Sequence, residues 1–310
     1  MIKRIYLFYF VLLGITVFSL SNCIIFQRST IANYHERETP VGQTKISENL
    51  FCDKTEITNF HYLEFLSWTN QVFGRESVEY LQALPIVSCW SEVDECLAEL
   101  AKNYLRHPSY RDFPLVGISQ EQARLYSRWR SDRVFEYQLI KLKLLDFNVT
   151  PTPENHFTIE RYFTSTPPYK RDPRIKYYAE YSLPNKAERE QIMAYNDSIT
   201  EVFLENCKSK TCKACQENFP DTQSAIQPCK GGVIFSFPTR PVTSGCQTNG
   251  KNSILELRGN VAEWLHEDSL AAGYSWKDNY TVFPDYYVDQ TPINAWTGFR
   301  CVGRWKKWID

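Results

Sequence analysis

Three closely spaced cysteines are the residues of this chain whose spacing most directly suggests chemistry. Cys207, Cys212 and Cys215 form a C-x4-C-x2-C pattern, and Cys229 follows them in the sequence. Thiolates at such spacings bind structural zinc ions and iron–sulfur clusters. The alternative is a set of disulfide bonds within a loop. Disulfides are the favoured interpretation for an exported chain, because thiols outside the cytoplasm become oxidised.

The cysteine count agrees with an exported protein. The chain has ten cysteines among its 310 residues, and Cys23 stands at the end of an N-terminal apolar segment. If Cys23 is set apart, an odd number remains, so at least one thiol is free or pairs with another chain. The sequence leaves the connectivity open, and the disulfide candidates are Cys207, Cys212, Cys215, Cys229, Cys246 and Cys301.

The N-terminus carries a targeting signal. Lys3 and Arg4 precede an apolar run over residues 5–20, which is the pattern of a signal peptide. The run is shorter than the roughly 20 apolar residues that a membrane-spanning helix needs. Residues 20–23, Leu-Ser-Asn-Cys, resemble the lipobox of bacterial lipoproteins, in which the cysteine is lipidated, although Asn22 replaces the usual small residue. An uncleaved anchor and an ordinary secretory signal are the alternatives, and all three export the domain.

These signals divide the chain into three parts. We predict a lipoprotein-type signal peptide over residues 1–23, with lipidation at Cys23, and a polar tether over residues 24–45. Residues 46–310 are expected to form one domain with a cysteine-containing insert at about residues 200–250. Hydrophobic residues make up 43% of the chain, so this domain can bury a large core. The net charge of -1 gives no indication of nucleic-acid binding.

Three helices and a terminal strand are predicted to position the candidate residues. Apolar side chains at helical spacing follow each helix start, and two of the starts carry a capping box, in which two side chains satisfy each other's free backbone donors. Residues 298–302 alternate in polarity and predict a strand near the end of the domain. The helix starts are, in order, Thr58, the box of Ser119 and Gln122, and the weaker box of Asn185 and Glu188.

Five short segments, spread from residue 52 to residue 300, carry a family resemblance. They are residues 52–59 (Cys-Asp-Lys-Thr-Glu-Ile-Thr-Asn), 113–119 (Phe-Pro-Leu-Val-Gly-Ile-Ser), 183–190 (Leu-Pro-Asn-Lys-Ala-Glu-Arg-Glu), 259–264 (Gly-Asn-Val-Ala-Glu-Trp) and 298–300 (Gly-Phe-Arg). In this order they resemble the formylglycine-generating-enzyme-like family, also called the sulfatase-modifying-factor family. The resemblance implies one irregular, loop-rich α+β domain related to C-type lectins.

Catalysis in that family depends on a cysteine pair. Its enzymes bind copper through two cysteines between the Gly-Asn-Val-x-Glu-Trp and Gly-Phe-Arg segments, since soft thiolates suit Cu(I). The corresponding interval of this chain, residues 265–297, contains no cysteine, and His266 is its only histidine. We therefore predict no catalytic residues and no enzyme activity. A copper-dependent formylglycine-generating oxidase is the disfavoured alternative.

The resemblance carries two further expectations. A structural cysteine often follows the terminal Gly-Phe-Arg, where this chain has Cys301, but the usual partner position on the second helix holds Ser127. Cys301 is therefore expected to pair elsewhere or to stay free. Family enzymes can also bind calcium at the Gly-Asn-Val turn, where Asn260 and Glu263 would supply hard oxygen ligands. The favoured alternative is that both side chains only satisfy the turn, because two side-chain ligands are few for calcium.

A narrower resemblance points to a function. Residues 129–136 and 155–162 look like segments of gliding-motility-associated lipoproteins of the GldJ and GldK type, which belong to the type IX secretion apparatus of Bacteroidetes. The resemblance implies a lipid-anchored outer-membrane protein that faces the periplasm. Its expected role is a non-catalytic structural component whose partners are other proteins of a secretion or gliding assembly. The alternative is a lectin-like module that binds glycan or peptide through aromatic clusters such as Tyr177, Tyr178 and Tyr181.

Overall fold

The computed structural model describes residues 34–146, 150–206, 222–223, 225–234, 236–244, 253–281, 287–289 and 292–309. Short 3-10 turns span Glu95–Leu97 and Pro108–Tyr110. The helices are α1 (Tyr34–Arg37), α2 (Asn59–Phe73), α3 (Val78–Ala83), α4 (Cys89–Val93), α5 (Ala98–Asn103), α6 (Gln120–Lys141), α7 (Ile159–Phe163) and α8 (Lys186–Asn206). The strands are β1 (Gln43–Lys45), β2 (Phe51–Asp53), β3 (Tyr177–Ser182), β4 (Thr222–Gln223), β5 (Cys229–Lys230), β6 (Val233–Ile234), β7 (Ala262–Trp264), β8 (Leu270–Ala272), β9 (Tyr280–Thr281), β10 (Tyr287–Asp289), β11 (Thr297–Gly298) and β12 (Val302–Lys307).

The first sheet joins the two ends of the described chain. Its strands lie in the order β1-β2-β12-β3, and all neighbours are antiparallel. Val302 of β12 pairs with Cys52 of β2 on one side and with Ser182 of β3 on the other. The last strand therefore lies between strands from the start and the middle of the chain.

The second sheet brings two of the family segments together. Its strands lie in the order β10-β8-β7-β11, and β11 runs parallel to β7. Gly298, the first residue of the Gly-Phe-Arg segment, is the register partner of Glu263 in the Gly-Asn-Val-Ala-Glu-Trp segment. A side chain at position 298 would clash with the Leu115 carbonyl, so this close approach requires glycine.

Side-chain caps begin the three predicted helices, as the sequence indicated. Thr58 accepts a hydrogen bond from the His61 amide at 3.2 Å at the start of α2. Both bonds of the other two capping boxes are formed, at Ser119 and Gln122 before α6 and at Asn185 and Glu188 before α8. Local sequence therefore determines where these helices begin.

An aromatic core holds the helices against the sheets. Tyr126 of α6 stacks on Tyr62 of α2 at 5.7 Å and meets Phe299 edge-on at 5.4 Å. These three rings are almost fully buried, and Phe299 belongs to the segment that links the two sheets. Helices and open sheets thus share one core, which confirms the predicted single α+β domain.

The predicted tether is too long. Residues 43–45 form strand β1, and Tyr34 of α1 is buried in the core. Tyr34 donates a hydrogen bond to the Tyr177 carbonyl, and the Trp305 indole donates to the Glu38 carbonyl. Polar composition without periodicity suggested a tether, but these tertiary contacts place residues 34–45 within the domain.

The predicted terminal strand is also wrong in detail. Residues 299–301 lie between β11 of the second sheet and β12 of the first. Phe299, Arg300 and Cys301 are fully buried, so this apparent strand pattern marks a crossing from one sheet to the other.

No helix within the described residues is long and apolar enough to span a membrane. Cys23, the signal segment of residues 1–23, and residues 24–33 of the predicted tether lie outside the described residues.

Candidate functional site

Asn260 shapes the turn before β7. Its backbone has a φ of 66°, in the left-handed region that asparagine tolerates better than most residues. Its side-chain oxygen accepts from the Arg240 amide at 3.0 Å, while its amide group donates to Glu56 at 3.0 Å and to the Arg240 carbonyl. All of these side-chain contacts are made within the protein.

Glu263 lies between two buried guanidinium groups. Arg189 of α8 donates to one carboxylate oxygen at 2.7 Å, and Arg300 donates to the other at 2.7 Å. The three side chains are at most 1% exposed. Burial alone would lower the pKa of Arg300, but its pairing with Glu263 outweighs that effect and raises it. We call Glu56, Arg189, Glu263 and Arg300 the buried charge cluster.

Arg189 is a member of this cluster that sequence reasoning missed. The family segment Leu-Pro-Thr-Glu-Ala-Glu-Trp-Glu has tryptophan where this chain has Arg189. Gly273 makes room for the guanidinium, because a Cβ at that position would lie 3.1 Å from an Arg189 nitrogen. The sequence did contain a signal, because an arginine stands where the family pattern has tryptophan. An arginine that is buried at such a position requires a buried anion as its partner.

Glu56 is the second carboxyl group of the cluster. One carboxyl oxygen accepts from Asn260, and the other has no hydrogen-bond partner among the described residues. Burial raises its pKa well above the ordinary value, and the nearby carboxylates of Glu256 and Glu263 add to the shift despite the opposing charge of Arg300. The protonated form of Glu56 is therefore favoured relative to that of an exposed glutamate, whereas the Glu263 carboxylate accepts from both arginines.

The arrangement of Asn260 and Glu263 does not fit a calcium ion. Calcium needs six to eight oxygen ligands with free lone pairs directed at the ion. Both carboxylate oxygens of Glu263 face guanidinium groups, and the Asn260 oxygen faces a backbone amide. A cation here would displace Arg189 or Arg300 from a site that both arginines already fill.

The interval that would carry the copper-binding cysteines is used for packing. Trp276 is 2% exposed and stacks on Trp90 of α4, with ring centres 6.2 Å apart. Its indole donates to the Ala295 carbonyl at 3.0 Å, and its backbone amide donates to the Asn260 carbonyl. Ser275 is buried and donates to Asp278 at 2.6 Å. These contacts tie the interval to the core and to the turn of Asn260.

The free thiols of the described residues are unsuited to thiolate chemistry. Cys52, Cys89 and Cys301 are unpaired and buried. Burial raises the pKa of each thiol to about 12. Metal binding and nucleophilic attack both need the thiolate, and these cysteines stay protonated near neutral pH.

Cys301 lies where the resemblance implied. Its sulfur is 3.4 Å from the Ser127 hydroxyl, within the buried interior. Ser127 therefore occupies the position of a disulfide partner, and Cys301 remains free.

One disulfide bond is present among the described residues. Cys229 is bonded to Cys96, with the Cα atoms 6.2 Å apart and a sequence separation of 133. The bond joins the insert to the segment between α4 and α5. Sequence reasoning included Cys229 among the candidates but not Cys96. The remaining candidates Cys207, Cys212, Cys215 and Cys246 lie outside the described residues.

A cleft of about 790 Å³ between α6 and the first sheet was not predicted. Ser127, Ser131 and Asp132 of α6 line one wall, while Tyr178 and Trp308 line part of the other. The two serines lie one helical turn apart, and their small side chains leave this space. Burial raises the pKa of Asp132 to about 6, although its hydrogen bond from the Ile159 amide opposes the shift.

Tyrosines of the predicted aromatic cluster mainly build the core. Tyr178 is 8% exposed and Tyr181 is 2% exposed, so only their edges reach the cleft. Tyr177 is half-buried and stacks on His35, with ring centres 3.9 Å apart. The packing interpretation of this cluster is therefore the better one for Tyr178 and Tyr181.

A family model assigns the fold that these segments indicated. Residues 24–304 match the sulfatase-modifying factor enzyme 1-like domain. The match covers most of the chain, and the chain therefore belongs to this family. The gliding-lipoprotein subgroup is a finer assignment that the family match does not address.

Comparison with solved structures finds distant similarity. The crystal structure of CarF is similar over 84% of this chain and 87% of that one, at 16% sequence identity and a TM-score of 0.36. The similarity is too distant to bear on function, so the family model carries the assignment. No curated protein sequence matches the chain.

Proposed function

We propose that this protein is a non-catalytic member of its family, a membrane-anchored lipoprotein that acts as a structural component of a secretion or gliding assembly. The observation that carries the proposal is the cysteine-free interval of residues 265–297. A family enzyme needs two thiolates there to hold Cu(I). Within this interval Trp276 and Ser275 are buried.

The described thiols elsewhere do not replace that pair. Cys52, Cys89 and Cys301 are enclosed, and their raised pKa values keep them protonated. Cys96 and Cys229 are joined in a disulfide. The retained family residues Glu56, Asn260, Glu263 and Arg300 are buried together with Arg189 and stabilise the fold.

The two segments that carry the narrower resemblance pack against each other. The Asp132 carboxylate accepts from the Ile159 amide at 2.8 Å, and Arg133 donates to the Phe157 carbonyl. Phe135 and Phe157 are in aromatic contact at 5.9 Å. The segments resembling gliding lipoproteins, residues 129–136 and 155–162, thus form one structural unit beside the cleft.

An activity assay tests the absence of catalysis. Purified full-length protein is loaded with Cu(I) under reducing conditions and incubated with oxygen and a cysteine-containing peptide. We expect oxygen uptake no faster than in a control with copper and peptide but no protein, and no conversion of the cysteine to formylglycine. A formylglycine product, detected by the mass change of the cysteine, would overturn the proposal.

The anchor and the assembly are tested in cells. A fatty-acid analogue is expected to label the wild type, and the label should be lost in Cys23→Ala. The labelled protein should migrate as part of a defined complex on native gels after mild detergent extraction. Labelling that survives the substitution would refute lipidation at Cys23, and migration as a monomer would refute the assembly role.

A second function is favoured by the cleft. Trp308 and Tyr178 present aromatic surface beside the carboxyl groups of Asp132 and Glu180, a combination that suits sugar or peptide ligands. Glycan and peptide arrays with the wild type and Trp308→Ala would test it. Selective binding that the substitution abolishes would support a binding module, and the absence of binding would refute it.

A further inference from the structure

The start of the described chain is docked at one end of the first sheet. His35 stacks on Tyr177 at 3.9 Å, and Tyr34 donates to the Tyr177 carbonyl. Lys307 of β12 is the register partner of Tyr177. The point where the chain enters the domain is therefore next to the end of β12.

Basic and aromatic residues are concentrated at this end. The Trp308 amide donates to the Lys176 carbonyl at 2.9 Å, and the Trp308 ring stacks on Phe163 at 4.8 Å. Arg171 lies over the same Phe163 ring at 5.1 Å, and Lys170 precedes it in the chain. Ile309 is 87% exposed. We call Lys170, Lys176, Lys307, Trp308 and Ile309 the basic end of the sheet.

Neighbouring carboxylates leave much of this positive charge uncompensated. Asp172 is paired with Arg174, and Glu180 is paired with Lys306. Within the described residues, Lys170, Lys176 and Lys307 have no ion-pair partner, and all three are exposed. Lysines with extended apolar stems, together with a tryptophan and an exposed isoleucine, are the composition of a membrane-interface surface.

The length of the preceding chain limits how far this end can be from a membrane. Eleven peptide units separate Cys23 from Tyr34, a distance of at most roughly 40 Å when fully extended. A lipid anchor at Cys23, as in the proposed function, would keep Tyr34 and the adjoining lysines near the headgroups.

We propose that the basic end of the sheet contacts the headgroups of anionic phospholipids, so that the domain is oriented on the membrane as well as tethered to it. The inference rests on the membrane anchor of the proposed function. Lys176 and Lys307 contact lipid phosphates through charge, and Trp308 and Ile309 lie at the headgroup level. The cleft, which Trp308 borders, would then open next to the membrane.

Hydrogen exchange on the full-length protein in vesicles tests this orientation. The protein is reconstituted into phosphatidylcholine alone or mixed with phosphatidylglycerol, and flotation verifies its attachment. We expect slower amide exchange for residues 170–177 and 303–309 in the anionic vesicles, by about tenfold. High salt should reverse the effect, because it screens the lysine–phosphate attraction.

Two charge-reversal variants give the specificity of the test. Lys176→Glu with Lys307→Glu should abolish the lipid-dependent protection. Lys45→Glu with Lys102→Glu changes the net charge equally at exposed lysines elsewhere, and should retain it. If the protein floats but its amide exchange is equal in both lipids, the orientation is overturned and the anchor stands. Equal loss of the lipid-dependent protection in both charge-reversal variants would have the same meaning. Failure to float with either lipid would overturn the anchor and the orientation that depends on it.

Discussion

The buried charge cluster and the cleft both contain ion pairs of similar length, but the first pairs are buried and the second is exposed to solvent. In the cluster, Arg189, Glu263 and Arg300 are at most 1% exposed. Along the cleft, the Lys306 and Glu180 side chains are 53% and 32% exposed in a pair 2.7 Å apart. Although the distances are similar, the electrostatic energies of the pairs differ greatly, because solvent screens the cleft pair but not the buried pairs.

This difference assigns different roles to the two regions. Removing one partner from a buried pair strands a charge in the interior, so the cluster must be kept for the fold to form. The exposed Lys306–Glu180 pair can change with little cost to stability, which leaves that part of the cleft free to fit a ligand or partner. The first region keeps the family residues Glu56, Glu263 and Arg300 and adds Arg189, whereas the second also depends on residues outside the five family segments.

The largest effect is expected for Glu263→Gln. The substitution leaves Arg189 and Arg300 buried without a counter-charge and should lower the free energy of unfolding by about 3–5 kcal/mol. Urea denaturation followed by circular dichroism measures it. Glu263→Asp, which keeps the charge on a shorter side chain, should lose less. A loss below about 1 kcal/mol for the glutamine variant would mean that the cluster is not essential to the fold.

The substitution Ser127→Cys tests the contact between the cleft and the buried interior at Cys301. Ser127 lines the cleft and also touches the Cys301 sulfur at 3.4 Å. A disulfide between these positions would close a long loop, so the oxidised variant should gain about 2–4 kcal/mol. Thiol counting and melting with and without reductant measure the bond. Ser131→Cys, one turn further along α6, is the control and should remain reduced; no bond in the first variant would contradict the inferred geometry.

The pH dependence of stability depends on Glu56. Its pKa is raised in the folded state, chiefly by burial, so its protonated form stabilises the fold at low pH. That contribution is lost as the pH rises through the folded-state pKa. Glu56→Gln cannot lose a proton and should become increasingly stable relative to the wild type as the pH rises above the ordinary glutamate pKa of about 4.3. Melting temperatures measured across this range would refute the assignment if the two proteins changed in parallel.

The sequence predicted those features that are determined by residues close together in the chain or by the family segments. The capping boxes at Ser119 and Asn185 depend on residues three positions apart, and both are formed. The juxtaposition of Ser127 with Cys301 followed from the family pattern. These features need no knowledge of distant contacts beyond what the family implies.

Other features depend on tertiary contacts that sequence alone does not specify. The first turn at Tyr34 has no helical periodicity, and its place in the domain comes from contacts with Tyr177 and Trp305. Arg189 finds its partner on β7, across 74 residues of sequence. The pairing of Cys229 with Cys96 likewise depends on the fold, since spacing does not determine connectivity.

The smallest effect is expected for Glu180→Gln, the cleft counterpart of the glutamine substitution at position 263. Its partner Lys306 is more than half exposed, so the lost attraction is replaced largely by hydration of the ammonium group. We expect a change of no more than about 1 kcal/mol in the free energy of unfolding. The same urea titration measures it, and its small size should decrease further at high salt because the pair is screened. A loss as large as that of Glu263→Gln would show that the cleft is as much a part of the stabilising core as the cluster, and the distinction between the two regions would fail.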